Sequence, residues 1–161
     1  MSRAFVKESE GSEWPVFPEP ALPAGLPNHI TRAGAAGLRG RLDALRARRE
    51  AFEGDGGVET GQRTALTSEI RWLEKRVSTF VETSGPRNPE VVGFGTLVKL
   101  DGPRERTVRI VGVDEVDPSA GAISWCSPLA RALHGARVGD VVEVVAPGGA
   151  EEWEVVEIAP I

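Results

Sequence analysis

Two apolar seams separated by a short glycine-rich loop constrain this chain more than any other feature. Leu38, Leu42, Leu45 and Phe52 recur at spacings of four, three and seven, with Arg49 at the position that would complete the stripe. Leu66, Ile70, Leu73, Val77 and Phe80 then follow at four, three, four and three. Intervals of three and four put these side chains on one narrow helix face. Two such seams joined by a tight polar loop bury themselves only by folding back on each other. The spacing therefore predicts an antiparallel helical hairpin, a short coiled coil, over residues 30–82 with its tip loop at 53–61. Helices of about 20 residues make an arm of roughly 30 Å.

On either side the pattern changes. Residues 1–29 carry Pro15, Pro18, Pro20, Pro23 and Pro27, too many for a helix or a central strand, and read as an extended leader. The stretch TSGPRNPE, residues 83–90, reads as a linker. Beyond it, VVGFGTLVKL, RTVRIVGV, AISW, VGDVVEVVA and EEWEVVEIA are β-branched runs divided by turn residues such as Asp117-Pro118 and Pro147-Gly148-Gly149. One short helix interrupts them: Ser127 suits the N-cap, Pro128 the first turn, Leu129 and Leu133 one apolar face, and Gly135 the stop. The expected class is α+β, with the hairpin followed at 91–161 by an antiparallel sheet curled over that helix.

Charge divides the same way. From Arg32 to Phe52 six arginines face only Asp43 and Glu50, whereas the chain as a whole carries −5, so a basic arm is attached to an acidic body. That balance, and the lack of a DNA-reading motif, argue against DNA as the main partner. The single cysteine, Cys126, has no disulfide partner and no zinc-ligand companions. Ser127 and His134 stand seven residues apart with no third group to orient the imidazole, and the GFG at 93–95 opens no helix. No run approaches a membrane span or a signal-peptide core, so a cytoplasmic protein is expected.

The residues IVGVDEVDPSAGAISWCSPLARALHGARVGDVVEVVAPGG resemble the C-terminal domain of the Gre family of bacterial transcript cleavage factors, closest to the GreB branch. The likeness rests on Ile123-Ser124, the run Ser127 to Leu133, Val138 to Asp140 and Pro147 to Gly149, and extends to MSRAFVKE and SEIRWLEKRV. It implies a hairpin followed by a domain like the FK506-binding fold. It also implies docking at the secondary channel of RNA polymerase, a contact that maps onto Ser127, Pro128 and Leu129. Arg41, Arg48 and Arg49 on the arm would then face acidic channel walls or, indirectly, nascent RNA. The expected protein is a monomeric regulator and not itself an enzyme, with no cofactor of its own. Mg²⁺ would enter only inside the polymerase complex, and no membrane is involved.

The tip, FEGDGGVETGQR, leaves two readings open. Cleavage-competent members carry Gly-Asp-x-x-Glu-Asn and a nearby tyrosine, whose carboxylates help hold a second Mg²⁺, an ion that prefers oxygen ligands. Here Gly54-Asp55 matches, but Glu59 comes four residues after the Asp instead of three, the Asn is absent and the chain has no tyrosine. Set against the family, each arm is about six to ten residues short, roughly 10 to 15 Å of reach. An acidic turn without metal chemistry is one reading, and Asp55 with Glu59 as divergent metal helpers is the other. Prolyl isomerisation is suggested only by the fold-level likeness, which carries no function by itself.

Overall fold

A computed structural model describes residues 22–53 and 60–161. The chain enters through a three-residue strand, β1 (Asn28–Ile30), and rises through α1 (Arg32–Glu53). It returns through α2 (Thr60–Thr79) into β2 (Phe80–Glu82). Leu42, Leu66, Ile70 and Leu73 are buried between the helices, with Leu38, Leu45, Phe52 and Val77 half-buried around them, so both seams close as their spacing requires. The tip loop beyond Glu53, with Asp55 and Glu59, and the leader up to residue 21 lie outside the described residues.

The base of the hairpin differs from the sequence expectation. The sequence places the leader at 1–29 and the helical hairpin at 30–82, whereas Asn28–Ile30 pair in parallel with Phe80–Glu82 as a two-stranded sheet. Thr79, Phe80 and Val81 are β-formers, and pairing with β1 ends α2 before its helical spacing runs out. The following linker is tied down as well. The Thr83 N–H donates to the Ile30 carbonyl at 2.8 Å, and a Cβ on Gly85 would lie 2.4 Å from the Gly95 carbonyl oxygen.

The five expected strands are β3 (Thr96–Asp101), β4 (Arg106–Val111), β5 (Ala122–Ser124), β6 (Val141–Ala146) and β7 (Gly149–Pro160), in the sheet order β5-β4-β3-β7-β6. Three of the four neighbouring pairs are antiparallel as expected, but β5 joins β4 in parallel. Between them the chain makes two 3₁₀ turns, Val113–Glu115 and Pro118–Ala120, a crossover that lets it re-enter the sheet in the same direction. The short helix α3 (Pro128–Leu133) packs Ala130 and Leu133 onto Val98, Leu100, Val108, Ile110, Trp153 and Val155. Burying each large aliphatic side chain contributes about 1.5–3 kcal/mol, so this face holds the domain together.

On the exposed side of α1, a Cβ at Gly37 or Gly40 would meet nothing within 4 Å. Glycine costs a helix interior about 0.5–1 kcal/mol relative to alanine. Gly37→Ala and Gly40→Ala are each expected to raise the urea midpoint by that increment, and a lowered midpoint would show that α1 needs its glycines for contact.

Candidate functional site

The start of α3 is set by local chemistry. Ser127 has extended backbone and its Oγ accepts the Ala130 N–H, Pro128 needs no donor in the first turn, and Gly135 follows with φ +82°. Leu129 is half-buried and packs, with the buried Ala130 and Leu133, against the sheet core, so the expected Leu129/Leu133 face is present and Ala130 joins it. Ser127, Pro128 and Leu129 line a shallow groove of about 290 Å³ whose other walls include Ile123, Val144, Val145 and Trp153, with Arg106 and Glu151 also lining it. Beside it runs the edge strand β6, on which Val141 and Val145 are 60% and 80% exposed. Exposed apolar side chains next to a concave, polar-rimmed surface are what a protein-docking site requires.

Several of the arm arginines are paired within the hairpin. Arg41 pairs with Glu69, Arg46 with Glu74 at 2.7 Å and Arg39 with Glu82 at 3.2 Å, so α1 is stapled to α2 and its end by charge as well as by the seam. Arg48 lies with its guanidinium 5.3 Å from the Phe52 ring centroid. Arg49 is half-buried, as its seam position implies. Arg41, Arg48 and Arg49 thus lie on α1, while Ser127, Pro128 and Leu129 lie on the sheet domain; two surfaces are present, not one cluster. Asp55 and Glu59 fall outside the described residues, and among the described ones no group of three or more His, Cys, Asp or Glu is placed to hold a metal ion. Among them, too, no helix is long and apolar enough to cross a membrane.

Between the two surfaces lies a polar joint that sequence reasoning missed. Asp114 accepts from Arg76 Nε at 2.8 Å and Nη2 at 2.9 Å, and from Asn28 Nδ2 at 2.9 Å. Its neighbour Glu115 accepts from the backbone N–H groups of Thr31 and Gly112, both at 2.9 Å, and from the Thr31 hydroxyl. The one available signal was an acidic pair directly after the buried run Ile110, Val111, Val113, where a charged residue needs a partner. Two further contacts adjoin the joint. His29 Nδ1 lies 2.7 Å from Thr83 Oγ1, and Trp125, two residues before Ser127, meets the His29 ring edge-on at 5.3 Å. In the same region the carboxyl of Asp117 is held below the usual carboxylate range, chiefly by the Ser119 hydroxyl, which with the lesser help of the Ala120 and Ser119 N–H groups outweighs desolvation.

Residues 87–160 match the family model described as transcription elongation factor, GreA/GreB, C-terminal. The transcription elongation factor GreB of Neisseria meningitidis serogroup B (strain ATCC BAA-335 / MC58) is 44% identical over 93 residues, 55% of this chain and 57% of the relative. The transcription elongation factor GreA of Agrobacterium fabrum (strain C58 / ATCC 33970) is 50% identical over 70 residues, 42% of this chain and 44% of the relative. The chain thus spans about half the length of the curated relatives it matches. Among solved structures, the GreA factor homolog 1 protein of Thermus thermophilus aligns over 83% of this chain and 99% of its own, with 29% identity and a TM-score of 0.39.

Proposed function

We propose that the chain, whose residues 87–160 match the GreA/GreB C-terminal model, is a GreA/GreB-family, polymerase-binding regulator of elongation. In this reading the sheet domain docks beside the secondary channel of RNA polymerase through the groove at Ser127, Pro128 and Leu129, and the hairpin enters the channel mouth. The observation that carries it is the half-buried Leu129 in an apolar groove next to the exposed Val141 and Val145, all inside the matched domain. The protein acts as a monomer in the cytoplasm and performs no chemistry itself. Stimulation of transcript cleavage is weak or absent, because Glu59 stands one residue too far from Asp55 and the family's asparagine and tyrosine are missing. Arg48 and Arg49 are the arm residues available to the channel or to RNA. Arg41 reaches either one only by leaving Glu69.

The reading is tested by binding to core polymerase and by displacement of a bound GreA or GreB. Leu129→Asp is expected to weaken binding by tenfold or more, about 1.4 kcal/mol, as removal of a central apolar anchor does. If the parent chain neither binds nor displaces, or if Leu129→Asp binds as the parent does, the reading fails.

Gly54-Asp55, which matches the start of the family's tip motif, supports a second reading in which Asp55 and Glu59 help polymerase hold a second Mg²⁺. Cleavage of backtracked RNA that is stimulated by the parent and lost in Asp55→Ala and Glu59→Ala would replace the first reading with this one.

A further inference from the structure

We propose that Asp114 and Glu115 are positioning residues that aim the hairpin, each carboxylate gripping the base of a different helix. The inference rests on the reading of the hairpin as the part delivered to the polymerase. Asp114 holds Arg76 in the last turn of α2, and Glu115 holds Thr31 immediately before α1. All four carboxylate oxygens accept hydrogen bonds. Arg76 Nε is on Oδ1, Arg76 Nη2 and Asn28 Nδ2 are on Oδ2, the Thr31 hydroxyl is on Oε1, and the Thr31 and Gly112 N–H groups are on Oε2. Thr31 Oγ in turn accepts the Gly34 N–H at 3.0 Å, so the carboxylate also orders the first turn of α1.

Two glycines clear the space. A Cβ on Gly34 would lie 2.1 Å from Glu115 Oε1, and one on Gly112 would lie 2.2 Å from the His29 carbonyl oxygen. An apolar contact would hold the halves together without direction, whereas a two-nitrogen guanidinium–carboxylate pair and a capped helix start have fixed geometry. Adjacent residues gripping two antiparallel helices leave no free axis of rotation. The lever makes this matter: α1 has 22 residues, so a swing of about 20° at its base moves its far end by roughly 11 Å.

The test uses the full chain with spin labels at Glu50→Cys on α1 and Glu154→Cys on β7, both exposed positions, in a Cys126→Ser background. A single narrow distance is expected in this parent. It should broaden in Asp114→Asn/Glu115→Gln and independently in Gly34→Ala, where the new methyl expels the Glu115 side chain while favouring the helix. Because the groove and the joint share no residue, affinity for core polymerase should stay within about twofold while the effect of the bound factor on elongation falls. A distance that stays narrow in Gly34→Ala overturns the proposal, whether or not the double variant folds. Failure of the parent to bind polymerase would remove the functional reading and leave the distance measurement standing.

Discussion

Arg76→Ala is expected to lower the free energy of unfolding by about 3–5 kcal/mol, the cost of leaving a buried charge without its partner. The Asp114 side chain is 2% exposed and that of Arg76 9%, so water replaces little of what the guanidinium provides. Asn28 Nδ2 remains on Oδ2, but Oδ1 is left without a donor. A loss of that size is a large share of the 5–15 kcal/mol that holds an ordinary domain folded. Arg41→Ala provides the contrast. Its partner Glu69 is 21% exposed and Arg41 itself 55%, so that pair should be worth no more than about 1 kcal/mol. Urea titration of both variants separates the cases, and Arg76→Met combined with Asp114→Asn should recover part of the loss because no charge is then stranded. A loss below about 1 kcal/mol in Arg76→Ala would show that the joint is solvated in solution and not the buried grip described above.

Trp153→Ala should be equally costly, about 3–5 kcal/mol, for a different reason. The ring is 1% exposed and lies in the main core with Val98, Leu100, Leu133 and Val155, and it also lines the groove beside Leu129. Removing it opens a cavity that the paired strands β3, β7 and β6 cannot close without breaking register. Trp153→Phe keeps most of the volume and should cost less. Because the same ring supports the groove, Trp153→Ala should lose polymerase binding as well as stability, whereas Arg76→Ala, distant from the groove residues in the fold's connectivity, should lose mainly stability. A full-affinity Trp153→Ala would mean that the groove is not the docking surface.

Several elements were legible because their causes are local. Ser127-Pro128 and Gly135 bracket α3 through capping and backbone preference, and the seams announce the hairpin through a spacing that only a helix satisfies. The five strands of the sheet domain were readable from β-branched runs between turns. Strands β1 and β2 were not, since three residues show no periodicity and their partners lie about 50 residues away in sequence. Leu129 and Leu133, four apart, name the helix face that meets the core, but that Ala130 is buried with Leu133 while Leu129 stays half-exposed depends on how the helix is rolled on the sheet. The arginines of α1 were visible as charge, yet their pairing with Glu69, Glu74 and Glu82 depends on the register of the two helices.

The amino-acid sequence alone determined the hairpin, the strand-rich domain, the capped start of α3 and the likeness to the GreA/GreB family, because periodicity, capping and motif all act over a few residues. Only the tertiary structure decided how the arm is joined to the body. Asn28 and Thr31 meet Asp114 and Glu115 across 84 to 86 positions of chain, and Arg76 meets Asp114 across 38. Bonds over such separations form only once both halves have folded, so no local pattern foreshadows them.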